Sequence, residues 1–275
     1  MRRLSIAPIA CAMIAIPVAG RATPAAEIVR TVYVSAHDVS GAQVTDLTVA
    51  DLAVKEGGKN RVIKDVKRAS EPLQVSLLVF DGGTGGFQTA AARFIDALLP
   101  RAEFAIRVFN PQPSRIADFT NDIETLKAAI NRIGPRGRVP PARDQIVEAV
   151  SDAAKELRHR KASRPVIIVM TLEAEQADGA DAALNELTAS GASLSVIGPR
   201  TGPVLGDGPT RSGGVTDDFL GVISVRLLAK IVDNLLHQYV VTYTLPDGVK
   251  PNGRFALTTN RTGVTLIAPT HVPDK

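Results

Sequence analysis

Apolar and polar positions change their rhythm at about residue 73. From there short apolar runs alternate with helix-period segments: Gln74 to Phe80, Phe104 to Phe109, Val166 to Met170 and Leu194 to Ile197 are predicted strands. Helices are predicted between and beside them at Phe87 to Leu99, Ile123 to Ile133, Ile146 to Arg158 and Asp181 to Ala189. Strands that alternate with helices and are apolar throughout belong in a parallel sheet covered on both faces. The helix after Phe119 has Asn121 and Glu124 at the spacing of a capping box, with Asp122 suited to the positive helix end.

The flanks follow a different rule. Ile28, Val29, Thr31, Val32, Tyr33 and Val34 form an extended run, Asp38 to Gly41 supplies turn chemistry, and Leu52 to Val54 leads through Gly57-Gly58 to Val62, Ile63 and Val66. No titratable cluster is expected there. At the other end, Tyr239 to Leu245, Phe255 to Thr258 and Val264 to Ile267 read as short antiparallel strands that return to the amino-terminal β segment. Between core and tail, the Gly/Pro/Thr-rich stretch Gly198 to Gly214 reads as a binding loop or local disorder, followed by a helix from Asp217 to about His237. The expected organisation is a leader over 1–22, an amino-terminal β segment over 23–72, a doubly wound domain over 73–236 and a carboxyl-terminal β segment over 237–275 that packs with 23–72.

The leader changes the charge picture. Arg2 and Arg3 precede an apolar stretch, Leu4 to Val18, that is broken by Pro8 and Pro17 and followed by Ala19, Gly20 and Ala22. That reads as an export signal, cleaved after Ala22 or Gly20 or later at Ala25 or Ala26, with an uncleaved amphipathic anchor as the other reading; it implies a periplasmic or secreted protein that meets the membrane only during export. Cys11, the one cysteine, lies inside it, so the processed chain has neither disulfide nor thiolate chemistry. Removing Arg2, Arg3 and Arg21 from the 32 basic residues leaves 29 against 28 acidic ones. Near-neutral charge, three tyrosines and no tryptophan argue against a nucleic-acid platform.

The strongest local signal is the junction at residues 74–99, where the strand ending at Phe80 meets Asp81-Gly82-Gly83-Thr84-Gly85-Gly86 and a helix follows at once. Such a loop sits at the carboxyl edge of a parallel sheet, the usual ligand location of open α/β folds. Its amides suit an anion, so a nucleotide- or phosphate-binding enzyme using Gly82 to Gly86 is one reading. Against it, the loop lacks a Gly-Lys-Ser/Thr ending and the full dinucleotide spacing, and Phe109-Asn110 supplies no acidic residue for a ribose.

Residues 44–54, Val-Thr-Asp-Leu-Thr-Val-Ala-Asp-Leu-Ala-Val, and residues 238–243, Gln-Tyr-Val-Val-Thr-Tyr, carry a family likeness. With the strand and glycine loop at Asp81, they make the chain resemble the von Willebrand factor A-related proteins exported by many bacteria, over most of residues 28–268. The resemblance implies a Rossmann-like, doubly wound, mostly parallel sheet with a small accessory sheet built from both terminal segments. It also implies a metal-ion-dependent adhesion site made from an Asp-x-Ser-x-Ser loop, a Thr of a second loop and an Asp after a later strand. Here Asp81 matches the first position, but Gly83 and Gly85 replace both serines, Pro140 stands at the Thr, and Thr171-Leu172-Glu173 replaces Thr-Asp-Gly. The site is degenerate, and no metal or other cofactor is expected. A shifted ion site from Asp81, Thr84 and Glu173 is the alternative to Asp81 bonding its own loop amides while Thr84 caps the helix.

Arg136, Arg138 and Arg143, with Arg200 and Arg211, are expected either on the same rim as the glycine loop, where they would grip an acidic partner, or as solvated surface charge. Lys155, Arg158, His159, Arg160, Lys161 and Arg164 form a second basic group suited to a helix end. His37, His159, His237 and His271 fall in unrelated contexts without a nucleophile loop, so no catalysis is expected. The expected function is an exported, non-catalytic binding or scaffold module for a protein or cell-envelope component. Its binding residues would be Asp81, Gly83, Thr84, Gly85, Arg138, Arg143, Thr171 and Glu173.

Overall fold

A computed structural model describes residues 27–80, 86–109, 113–134, 143–176, 178–216 and 225–274. The leader, residues Asp81 to Gly85 and the Arg138 loop lie outside the described residues. In chain order the strands are β1 (Ile28–His37), β2 (Leu52–Glu56), β3 (Lys59–Arg68), β4 (Leu73–Phe80), β5 (Ala102–Phe109), β6 (Pro113–Thr120), β7 (Pro165–Thr171), β8 (Ser193–Ile197), β9 (Tyr239–Leu245), β10 (Phe255–Thr259) and β11 (Thr265–Ile267). The helices are α1 (Gln88–Leu98), α2 (Ile123–Ile130), α3 (Arg143–His159), α4 (Ala180–Ser190), α5 (Gly208–Ser212) and α6 (Val225–Leu236). No helix among the described residues is long and apolar enough to cross a membrane.

Five strands form the central sheet in the order β6-β5-β4-β7-β8, parallel except for the antiparallel edge strand β6. Alternation of side chains splits each buried strand between two cores. Leu73, Val75, Leu77 and Val79 of β4 pack with Phe94, Ile95 and Leu98 of α1 and with Ile231 and Leu235 of α6. Leu78 and Phe80 face the other way, toward Val150 and Leu157 of α3 and Leu187 of α4. In α1 the buried set Ala90, Ala91, Phe94, Ile95 and Leu98 recurs at helical spacing, and Phe94 meets Phe104 of β5 edge to face at 6.2 Å.

The six remaining strands form one antiparallel sheet, β10-β2-β3-β9-β1-β11, to which both ends of the chain contribute. The backbone after β11 pairs with the opposite edge: Phe255 N donates to Thr270 O at 2.8 Å and Val272 N to Gly253 O at 2.8 Å. The sheet therefore curls around its own core of Val32, Val34, Val54, Val241, Tyr243 and Phe255. Hydrogen bonds fasten it to the doubly wound layer. Tyr33 donates to Ser163 O at 2.9 Å, Ser35 Oγ to Asn234 O at 3.3 Å, and Gln43 Nε2 to Asp233 Oδ2 at 2.6 Å.

Four expectations are corrected here. The cap of α2 is Asp122, not Asn121: its carboxylate accepts Thr125 N at 2.8 Å, and the neighbouring Asn121 stays outside the helix. Residues 113–120, given no element from the sequence, are the edge strand β6, whose register shifts against β5 break the regular apolar alternation. The Gly/Pro/Thr-rich stretch is a packed helical segment, a wide turn at Pro203–Asp207 running into α5, because Val204 and Leu205 are fully buried against α4 and β8.

The fourth concerns the amino-terminal β segment, where a titratable cluster does converge. Glu56, fully buried, accepts from Arg30 Nη1 at 3.3 Å, from the Tyr243 hydroxyl at 2.7 Å and from Asn252 N at 3.1 Å. Arg30 also donates to Pro273 O, which ties the chain end to β1. Burial, and then the hydrogen bond to Glu56, raises the Tyr243 hydroxyl above the ordinary phenol range.

Candidate carboxyl-edge site

Parallel strands deliver their ends to one edge, and there the described residues form a packed floor. Phe80 closes β4 and stacks on Phe109, the last residue of β5, with centroids 4.2 Å apart and planes 10° from parallel. Next along the sheet, Thr171 ends β7 fully buried, and its Oγ1 accepts Glu173 N at 2.9 Å. That bond turns the chain sharply outward at Leu172, which is left 45% exposed on the rim. Beyond β8, Gly198 passes so close to β7 that a Cβ would lie 2.3 Å from the Thr171 carbonyl oxygen. Only glycine lets the two strand ends close in this way.

Behind the rim a second carboxylate is committed to structure. Glu175 accepts Val204 N at 2.8 Å and Leu205 N at 2.6 Å, the first free amides of the helical segment after Gly202. Gly202 has φ +68°, and a Cβ there would overlap the Glu175 carboxylate. Burial raises the Glu175 carboxyl above the ordinary range, against the lowering effect of the two amides. A carboxyl raised on folding holds its proton longer in the native state. Its contribution to stability is complete below the unfolded pKa and is lost as pH rises through the folded one. Urea unfolding across about pH 4 to 7 should give Glu175→Gln a more positive slope of stability against pH than the parent chain; parallel slopes would contradict this.

Of the residues expected to bind, Asp81, Gly83, Thr84, Gly85 and Arg138 lie outside the described residues. Arg143 opens α3. Thr171 and Glu173 stand together at the end of β7, as their adjacency requires. Arg211 is not on this rim, and that expectation is corrected. Its Nε donates to Thr188 Oγ1 at 3.0 Å, and the following Ser212 hydroxyl accepts Leu194 N at the start of β8, so Arg211 lies at the opposite end of the sheet. Arg164 is likewise no solvated helix-end charge, being 3% exposed.

The described donors do not make a hard-cation shell. Thr171 Oγ1 is occupied by the Glu173 amide, Leu172 has no oxygen in its side chain, and Glu175 is held by two amides. Six or more oxygens are the usual requirement of calcium and magnesium. Among the described residues no group of three His, Cys, Asp or Glu side chains could hold a metal ion.

In sequence, no family profile and no curated protein matches the chain. Solved structures do. It is similar to von Willebrand factor A domains. The SpRpn10 VWA domain is 13% identical, with 59% of this chain and 94% of that one covered at a TM-score of 0.43. The vWF domain of the type V pili tip protein Mfa5 from Porphyromonas gingivalis is 17% identical, with 39% and 40% covered and a TM-score of 0.32. Manganese-loaded Plasmodium vivax TRAP protein is 12% identical, with 78% and 99% covered and a TM-score of 0.44. The alignment thus spans less than half of the Mfa5 domain.

Proposed function

We propose that the protein is an exported, non-catalytic binding module that engages a protein or cell-envelope component through its carboxyl-edge loops, without a bound metal ion. The observation that carries this reading is Leu172. A large apolar side chain stands exposed on the rim, at the place where the resemblance calls for a carboxylate, while its neighbour Thr171 is fully buried. An apolar anchor on a fixed support is the usual contribution of a protein-contact residue, whereas a water-exposed leucine adds nothing to an ion shell. Glycines at 83 and 85 remove the hydroxyls an adhesion-type ion would use. The amino-terminal Arg pair, short apolar core and small residues support export.

Leu172→Asp should leave the thermal midpoint unchanged and cut retention of the protein on an immobilised envelope-protein fraction by about ten-fold or more, the scale of losing one buried anchor. Retention of the parent chain should survive a chelator. Equal retention by the parent and Leu172→Asp would remove the rim from the binding surface.

One observation favours a second reading. Among the described residues Glu173 Oε2 is buried without a hydrogen-bond donor, and such an oxygen is a costly thing to leave unpaired. A shifted ion site that includes Glu173 would satisfy it, and calorimetry separates the two readings.

A further inference from the structure

At the amino ends of the parallel strands, the end remote from the rim, a cavity of about 520 Å³ opens in the seam between the two sheets. Its wall takes Arg68 from the end of β3, Glu71 and Pro72 from the link to β4, Arg101 from the approach to β5, Arg164 from the approach to β7, and His237 after α6. Three guanidiniums thus face one carboxylate.

None of the three has an ion-pair partner within 4 Å among the described residues. Arg164 is 3% exposed, and its hydrogen bonds all go to uncharged acceptors: Gln238 Oε1 from Nε at 3.1 Å and from Nη2 at 2.8 Å, Glu71 O from Nη1 at 3.3 Å, and Leu235 O. A guanidinium has five N–H donors, so one Nη1 hydrogen remains. Burial holds the Arg164 pKa down to about 10, against the raising effect of the nearby Tyr33 and Glu71. Arg68 donates to His237 O at 3.1 Å and lies over the Tyr239 ring at 5.0 Å. Arg101 has neither hydrogen bond nor ion pair among the described residues, and its charge is close enough to Arg164 to disfavour that cation further. Glu71 is turned to its own chain, its Oε2 accepting Ser70 N at 3.2 Å.

Helix ends account for part of this charge. Arg164 and Arg68 bond the last carbonyls of α6, where a cation is favoured. They do not account for Arg101, an exposed side chain of the cavity wall that has no bond among the described residues and adds a third positive charge there. Arg164 is the buried charge of the set; such a charge is ordinarily paired, and the pairing partner of guanidinium is a planar or tetrahedral oxyanion.

We propose that the seam cavity is a binding site for a small oxyanionic ligand, a carboxylate or a phosphate, held by Arg101, Arg164 and Arg68. Its volume suits a small molecule. The site is separate from the rim, and neither reading depends on the other.

The test uses the full chain, with inorganic phosphate and succinate as probes, each measured against sodium chloride at matched ionic strength. Calorimetry and thermal unfolding should show saturable binding of at least one anion, since a ligand that binds only the native state raises the midpoint with concentration. Phosphate alone, or succinate alone, would identify the ligand source; either supports the site. Arg101→Ala, which breaks no bond of the fold, should keep the unliganded midpoint and weaken binding about ten-fold, the scale of one charge-assisted contact. The parent chain must respond at about ten-fold lower anion concentration than Arg101→Ala. No response beyond chloride for either anion, or equal affinity in Arg101→Ala, would overturn the proposal.

Discussion

Glu56→Ala should lower the unfolding free energy by about 3–5 kcal/mol, a large part of the 5–15 kcal/mol typical of a whole domain. The carboxylate is fully buried and answers three donors at once: Arg30, the Tyr243 hydroxyl and the Asn252 amide. Removing it leaves the Arg30 cation, 7% exposed, inside the curled sheet without a counter-charge. The Tyr243 hydroxyl and Asn252 amide lose their acceptor at the same stroke. Replacing Arg30 and Glu56 together should cost less than the sum of the single changes, because the uncompensated charge then disappears with its partner. Urea midpoints of the parent chain, the two single variants and the double variant measure this. A Glu56→Ala loss below about 1 kcal/mol would mean that the network contributes little beyond an exposed pair.

The second large effect is expected at Gly198→Ala. The added methyl would sit 2.3 Å from the Thr171 carbonyl oxygen and 2.9 Å from the Thr171 Cγ2. Backbone cannot rotate away as a flexible side chain can, so the ends of β7 and β8 must part, at about 1–3 kcal/mol or more. The same movement displaces Thr171 and with it the turn that exposes Leu172. Gly198→Ala should therefore lower the thermal midpoint and weaken partner retention together, whereas Leu172→Asp affects retention alone. An unchanged midpoint would show that the strand ends are looser than their spacing implies.

What could be read in advance divides by the range of the interactions. The apolar runs at 74–80, 104–109, 166–170 and 194–197 each became a buried strand, since burial on both faces leaves a continuous hydrophobic stretch in sequence. β6 escaped because Ser114, Arg115 and Asp118 interrupt an edge strand that needs only one buried face, and its bulges shift the alternation. The segment at 203–212 escaped because Gly and Pro announce a loop, while the information that makes it helical, Glu175 on its first amides, lies 29 and 30 residues away. Long range also hid Glu56. Its partners are 26 residues upstream and 187 and 196 residues downstream, and no spacing rule connects them.

At the rim, the legible part was chemical type. Thr171-Leu172-Glu173 shows in the sequence itself that position 172 carries no side-chain oxygen. What each side chain does there was not legible: that Thr171 spends its hydroxyl on the Glu173 amide, that Leu172 faces water, and that Glu175 caps a helical segment all depend on the turn after β7. Arg164 and Arg211 show the same limit. Both are basic residues in polar surroundings, and packing sends both to the end of the sheet remote from the rim, Arg164 buried in the seam and Arg211 bonded to Thr188 of α4.

Calorimetric titration of the full chain with calcium, magnesium and manganese, repeated on Asp81→Ala, tests the metal-free reading of the rim most directly. With Gly83, Gly85 and Pro140 lacking side-chain oxygens, Leu172 apolar and Thr171 already engaged, the three ions should give no saturable heat at millimolar concentration, and the parent and Asp81→Ala should behave alike. A stoichiometric site that disappears in Asp81→Ala would contradict the account and place Glu173 among the ligands.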